Sequence, residues 1–382
     1  RLISLLVAVC MMITMLPLSA VTAFAADTST VHEANDGDGI YKYAYTVNAE
    51  NGTATITKFL GPVDPANNGP YDIEIPTELD HHPVTGLGEY SFSGTYSPDH
   101  QTNHNLISFC NQIQSVTIPE SVTSIGKSAF EHCSKLDSLT IKGVATSIGA
   151  YAFASCTSLT SLSLVGSFQT IGDSAFVNCG MTSLTIDATI TSIEKYAFSS
   201  RFLTSLSLTG NVQKIGDHAF DSCSSLNTVT FPKSPTSIGS YAFDSCTSLN
   251  SIEIPGTVTE IGDCAFYHCS GLTSVKIDEG VQSTGADMFN DCGQLTTVTF
   301  PESLTTIADG SFASCSNLNH VKIPARVTCI GDSAFSNCTS LSEITLQDGV
   351  KTIGANAFFS CQALTSITLP DSVTDIGRDA FL

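Results

Sequence analysis

The chain has 382 residues, 42% of them apolar, which is enough for a continuous core. Only 13% are charged, and 15 Lys plus Arg stand against 36 Asp plus Glu, a net charge of −21. Phosphate backbones and anionic lipid need basic surface, so this balance sets nucleic acid aside as a partner.

The first 25 residues read as a secretory signal peptide. Arg1 precedes an apolar run over residues 5–16, followed by Pro17 and the small-residue site Ala23-Phe24-Ala25. Cys10 lies inside that run after Val9, which does not suit a lipid-anchoring cysteine. No later apolar run is long enough to span a bilayer. The expectation is therefore a secreted or cell-surface protein with no membrane insertion after signal removal.

Residues 26–71 are expected to form a polar linker and a cap. Residues 27–39 are Gly-rich and aperiodic, so little fixed structure is expected there. Asn35-Asp36-Gly37-Asp38-Gly39 resembles part of a calcium loop but lacks its closing Glu, so a solvated turn is preferred. Tyr41, Tyr43, Tyr45 and Val47 then alternate with other residues, Asn51-Gly52 supplies a turn, and residues 53–57 are strand formers. Together they predict a β-hairpin that covers the open edge of the array that follows.

Residues 72–382 are that array. A degenerate first unit contains Ile73-Glu74-Ile75-Pro76 and Leu87-Gly88-Glu89-Tyr90-Ser91-Phe92, with an insertion over residues 93–107 before Cys110. Insertions of this kind map to surface loops. His100 and His104 within it have the spacing of a metal pair but no further ligand cluster, and a plain loop is preferred. Then Ile125-Gly126-Lys127-Ser128-Ala129-Phe130 opens a pattern that starts twelve times at intervals of 22 or 23 residues, up to Ile376. A period of this length marks stacked units, each too small to bury its own apolar face.

Roles within a unit follow from side-chain chemistry. In Ser161-Leu162-Ser163-Leu164 the alternation predicts a short strand with the leucines inward, pairing in parallel with the same segment of neighbouring units. Pro119, Pro255, Pro301, Pro324 and Pro370 end such strands because proline lacks a donor. A second short strand, such as residues 122–125, runs along the other side, and Gly126 is expected to permit a tight bend after it. Asp173-Ser174 and its equivalents are expected to cap one helical turn carrying Ala175-Phe176. The phenylalanines from Phe130 to Phe381 should stack as one spine. The predicted fold is thus an α/β solenoid of about twelve to thirteen units, with parallel short strands, one helical turn per unit and an N-terminal β-hairpin cap. The weakest unit is at Thr284, where Thr replaces Ile and Met288 replaces Ala.

The twelvefold I-G-x-x-A-F-x-x-C signature resembles the BspA-type class of leucine-rich repeat, from about Ile73 to the end of the chain. The resemblance implies a right-handed curved solenoid, a secreted or wall-associated location, and roles in adhesion or in binding host and neighbouring-cell proteins. The chain departs from the pattern at Arg201, which fills a cysteine position, and at Glu194, which replaces a glycine.

Eleven of the fourteen cysteines, from Cys110 to Cys361, fall in one register. Secreted cysteines suggest disulfides, but side chains stacked in register point the same way rather than toward one another. Buried free thiols acting as small apolar fillers with weak backbone contacts are the preferred reading. A row of single thiols also does not make a tetrahedral metal site. Cys264 and Cys329 lie outside the ladder, too far apart to pair.

No catalytic motif appears: there is no Gly-x-Ser-x-Gly, His-Glu-x-x-His, phosphate loop or dinucleotide fingerprint. No metal or cofactor is expected. His132 and His268 precede ladder cysteines but lie six units apart, which favours surface positions. Asp309 and Asp332 occupy equivalent turns and could share a cation, although capping of their own turns is the plainer explanation.

The outward strand positions form the one extended surface for function. They run from Ser161 and Ser163 to Ser366 and Thr368, rich in Ser and Thr, as strand solubility alone would require. Mixed charge enters between Glu253 and Glu343. The candidate binding residues are Ser251, Glu253, Ser274, Lys276, Thr297, Thr299, His320, Lys322, Glu343 and Thr345. The expectation is a non-catalytic, monomeric solenoid that presents this face to an extracellular protein or glycan. The alternatives are the recognition arm of a secreted hydrolase whose catalytic domain lies past Leu382, and a structural envelope component whose ends stack. Arg1 in place of Met, and a last unit that stops before its strand, lead one to expect further sequence at both ends.

Overall fold

The computed structural model describes residues 30–93, 109–142, 144–231 and 235–382. The signal-like segment, His100, His104 and nearly all of the insertion lie outside the described residues. Strands β1 (His32–Asn35), β2 (Tyr41–Val47) and β3 (Ala54–Pro62) form an antiparallel meander, and β3 pairs in parallel with His82–Leu87 of the first unit. Strand β1 corrects the expectation of little structure before Gly39. The Asp36 carboxylate organises it, accepting from the Ile40 N–H at 2.7 Å and the Tyr41 N–H at 3.1 Å. The acidic run is thus a turn whose carboxylate is used by the backbone.

Beyond the meander the chain winds as a solenoid of parallel strands. One buried cluster runs its length, from the cap tyrosines Tyr41, Tyr43 and Tyr45 to Ala380. Its axis is the predicted phenylalanine spine. Phe59, Phe92 and Phe130 stack at 5.5 and 4.6 Å. From there each ring faces the next, as in Phe130 and Phe153 (5.1 Å, 3°) and Phe335 and Phe358 (5.5 Å, 1°).

Among the described residues the predicted helical turn is absent from the Gly-x-x-Ala-Phe segments, and the reason lies in their backbone. Ser128 and His132 have φ of 54° and 62°, and equivalent residues recur at positive φ along the array, as at Ser174, Asn178, Ser333 and Asn337. Two left-handed residues four apart cannot belong to an α-helix. Instead the N–H groups alternate. Ala129, Glu131 and Cys133 bond three residues back, to Gly126, Ser128 and Phe130. Ser128, Phe130 and His132 bond forward to Ala150, Ala152 and Ala154 of the next unit at 2.7–2.9 Å. The turn is thus a third hydrogen-bonded ladder, and the strain of each left-handed residue is offset by a bond between units.

The ladder also revises the role of the glycines. A Cβ on Gly126 would lie 2.6 Å from the Gly88 carbonyl carbon, and one on Gly149 would lie 2.7 Å from that of Gly126. Glycine is therefore required because successive backbones touch, and neither residue has a positive φ. Asp309 and Asp332 likewise serve the neighbouring unit rather than their own turn: Asp309 Oδ1 accepts from the Asp332 N–H at 2.8 Å, and Asp332 Oδ1 from the Ala355 N–H at 2.7 Å. Asp332→Ala is expected to cost about 1 kcal/mol, the usual worth of a side-chain cap, read as a lower urea midpoint. Asp332→Asn keeps an acceptor oxygen and should retain most of it; equal losses would show that charge, not the bond, is what matters.

The strands do not pair continuously. On the Ser/Thr face, Tyr71–Glu74, Ile113–Ile118 and Ser138–Ile141 form one block. Ser161–Ile171, Ser183–Ile193, Ser205–Leu208 and Thr228–Thr230 follow, then Ser251–Ile254, Ser274–Ile277 and Thr297–Thr299, and finally His320–Ile323 with Glu343–Leu346. Two blocks end at a Thr-Val-Thr-Phe strand. There Phe231 and Phe300 occupy the place of the usual Ile or Leu and pack edge-on against the spine, on Phe243 at 5.7 Å and Phe312 at 5.5 Å. The larger ring leaves each strand at three residues, and pairing with the next is lost. The predicted strand at Ser366 and Thr368 is also absent.

The second row of strands is continuous up to Glu260–Ile261 and resumes at Thr306–Ile307. The interruption is at Thr284, where only an isolated Ser283–Thr306 bridge remains. Thr284 is buried, and its hydroxyl pairs with Ser311 Oγ at 2.7 Å and accepts from the Ala308 N–H at 2.8 Å. A hydroxyl in an apolar position has to find partners, and those partners occupy the place of the ladder. The unit identified as weakest is the one at which the row breaks.

Candidate functional site

The structure sets the predicted binding residues in two outward rows. Ser251, Ser274 and Thr297 are in register, as are Glu253, Lys276 and Thr299; His320 pairs with Glu343 and Lys322 with Thr345. All are exposed except Ser274, which is half-buried. Inward partners such as Ile252, Val275, Val321 and Ile344 are buried, so period-two alternation places every outward side chain on one side. The break after Thr299 divides the ten residues into a block of six and a block of four.

Electrostatics distinguish the blocks. Lys276 Nζ is 2.5 Å from Glu253 Oε1 and 2.9 Å from Asp278 Oδ1. The hydrogen bonds it donates to Glu253 and then Asp278 raise its pKa further, so this cation is matched within its own face. In the second block His320 Nδ1 lies 2.6 Å from Asn319 Oδ1. Among the described residues Lys322 and Glu343 have no ion-pair partner.

The cysteine ladder is buried, and its thiols are aimed at main chain. Cys156 donates to the Phe130 carbonyl at 3.4 Å, Cys179 to Phe153 at 3.1 Å and Cys338 to Phe312 at 3.2 Å, with the same contact in other units. Each thiol thus joins two units at the spine carbonyl. Burial pushes the thiols of Cys133, Cys156, Cys246, Cys292, Cys315 and Cys338 up, Cys223 to about 12 and Cys361 to about 11, which makes these eight poor nucleophiles and metal ligands. Cys110 and Cys133 differ, with sulfurs 2.7 Å apart.

A second cluster, not singled out from the sequence, lies on the turn ladder. Tyr196, His218 and Tyr241 stack at 4.6 and 4.9 Å, and His218 Nδ1 is 2.8 Å from Asp221 Oδ2. The imidazole has a tyrosine on each face, so only its edge remains open. His268 pairs with Asp291 at 3.0 Å, and His132 lies exposed beside Glu131. Among the described residues no group of His, Cys, Asp and Glu is arranged to hold a metal ion. The recurrence of Tyr and His at the third position after the repeat Ile was the available signal.

The departure at Arg201 also reads differently in three dimensions. Ser200 takes the buried cysteine position: it accepts the Leu203 N–H as Cys156 accepts that of Leu159, and its Oγ donates to the Cys179 carbonyl at 2.7 Å. Arg201 is displaced to the surface, its guanidinium 4.8 Å from the centre of the Phe202 ring. Glu194, in place of glycine, has its carboxylate against Ser192 Oγ.

Residues 100–204, 191–319 and 305–382 match the BspA-type leucine-rich repeat region. No curated protein matches the chain. Among solved structures, the pneumococcal vaccine antigen PcpA is 20% identical with a TM-score of 0.51, over 91% of this chain and 93% of that one. A leucine-rich cell-surface protein of Faecalibacterium prausnitzii is 25% identical (TM-score 0.43), over 93% and 96% of the two chains. A leucine-rich repeat protein of Bacteroides ovatus is 24% identical (TM-score 0.47), over 87% and 97%. Among the described residues no helix is long and apolar enough to cross a membrane.

Proposed function

The chain belongs to the BspA-type leucine-rich repeat family, and on that premise we propose that it is a non-catalytic binding protein of the extracellular space, an adhesin presenting its strand face to a protein or glycan. The observation that carries this reading is the pair of outward rows held in register over successive units, on which Lys322 and Glu343 have no ion-pair partner among the described residues. Repeated hydroxyls and isolated charges at a strand spacing of about 4.8 Å suit an extended ligand lying along the array. A signal-like N-terminus supports placement outside the cell.

Within that face Lys322, His320 and Glu343 carry more of the contact than Glu253 and Lys276, which already neutralise each other. Replacing Lys322, His320 and Glu343 together with Ser is expected to lower attachment to immobilised extracellular-matrix proteins or glycans about tenfold, on the scale of one or two charged hydrogen bonds. The urea midpoint should stay within experimental error, because all three side chains are exposed. The Glu253 and Lys276 double variant should have the smaller effect. Undiminished attachment by a folded triple variant rejects the face.

A further inference from the structure

The two 22-residue units adjoin, and they shorten the chain in different places. In the unit starting at Ile171 the missing residue lies between Cys179 and Met181, leaving Gly180 alone between two buried side chains. In the unit starting at Ile193 it lies between Phe198 and Ser200, which moves Arg201 and Phe202 to the surface beside that gap. The result is a notch of about 580 Å³, lined by Asn178, Gly180, Ser199, Arg201, Phe202 and Ser222 among others. Its size falls within the range of small-molecule sites, roughly 300–1,000 Å³. No side chain can fill it from Gly180, because a Cβ there would collide with the Thr157 carbonyl oxygen.

We propose that this notch binds a singly charged acidic sugar residue, with its carboxylate forked by Arg201 and its ring against the open side of Phe202. The lining offers what such a ligand requires. Among the described residues Arg201 is the only charged one in the lining, and it has no ion pair. A guanidinium fork matches a carboxylate in two parallel hydrogen bonds. Phe202 is 44% exposed, an apolar surface for the ring carbons. Asn178 and Ser222 add polar residues to the lining for ring hydroxyls, the Ser222 oxygen as an acceptor because its proton goes to Asp221. Asp221, next in sequence to the lining residue Ser222, is already engaged by His218 and by Ser222 Oγ, each at 2.7–2.8 Å. A net charge of −21 disfavours a polyanion, which leaves a compact ligand with one charge.

The site is separate from the strand rows and needs no part of their role. Titration of the whole chain with sodium glucuronate, glucose and acetate, followed by amide shifts of Gly180 and Ser199, tests it. Glucuronate should bind at least about tenfold more tightly than glucose or acetate, and Arg201→Gln should lose at least about tenfold, the scale of charge-assisted hydrogen bonds. Arg201→Lys should recover only part, because an ammonium cannot fork. Phe202→Ser should weaken glucuronate while leaving acetate unchanged. Both side chains are exposed, so neither variant threatens folding. Equal binding of the three probes, no binding of glucuronate, or wild-type affinity in Arg201→Gln overturns the proposal while leaving the strand-face reading standing.

Discussion

Raising the pH from about 8 to about 10 is expected to unfold the solenoid, because the buried thiols ionise only in the unfolded chain. Burial pushes Cys133, Cys156, Cys246, Cys292, Cys315 and Cys338 upward, Cys223 to about 12 and Cys361 to about 11. An unfolded thiol titrates near about 8.5. A group whose pKa is higher folded than unfolded contributes its full stability below the unfolded value and loses it as pH rises toward the folded one. The window therefore opens near about 8.5 and, for Cys223, extends to about 12. Each thiol contributes a slope of about 1.4 kcal/mol per pH unit, so at about pH 10 each has cost about 2 kcal/mol. Two neighbouring units then lose about 4 kcal/mol, close to the lower end of the 5–15 kcal/mol that roughly holds a domain together. Circular dichroism through an alkaline titration under reducing conditions measures this. A Cys292→Ala, Cys315→Ala variant starts less stable, since it loses packing and two thiol-to-carbonyl contacts, yet it should lose about 4 kcal/mol less over the same interval. Parallel pH profiles for the two proteins would rule out the ladder as the cause.

The same ladder shows how the sequence could be read and where reading stopped. Inward positions were legible because burial imposes a period: Leu162 and Leu164 alternate with serines, and the spine phenylalanines recur at fixed distance from Ile. The local path of the turn was not. Asp173-Ser174 before Ala175-Phe176 has the chemistry of a helix cap, but Ser174 adopts φ of 55° and its N–H bonds to Lys195 of the next unit. Capping preferences describe bonds within one segment, and in a solenoid the competing partner is a unit away. Gly126 and Asp332 follow the same rule, each acting on the backbone of an adjacent unit, Gly126 on Gly88 and Asp332 on Ala355.

The candidate surfaces divide along a similar line. The strand face follows from alternation alone, and its rows are where the pattern puts them. Its interruptions depend on volume, which alternation ignores: Phe231 and Phe300 fit the apolar slot but not its width. The Arg201 notch needed both deletions to be placed to the residue, and aligning on Cys rather than on the following Leu hides it. Taking Leu203 as the fixed point moves Ser200 into the buried position and Arg201 onto the surface.

Phe266→Ala should be among the most damaging single substitutions in the array, costing about 3–5 kcal/mol. Phe266 is fully buried, stacked on Phe243 at 5.1 Å and 1° and on Phe289 at 5.4 Å and 15°. Truncation removes the transfer energy of the ring, leaves a cavity that backbone ladders on three sides keep from collapsing, and ends two stacking contacts. Position adds a second consequence. Units of a solenoid are coupled to their neighbours alone, and Phe266 lies one unit before the strand break at Thr284. With spine and strand row weakened side by side, the N-terminal and C-terminal parts should unfold in two urea transitions in place of one. Phe381 provides the contrast: it is 40% exposed and its one ring contact among the described residues is with Phe358, at 5.4 Å. Phe381→Ala should cost about 1 kcal/mol or less and leave a single transition. Equal losses at the two positions would mean that ring area, rather than continuity of the stack through the weak point, sets how firmly the array holds together.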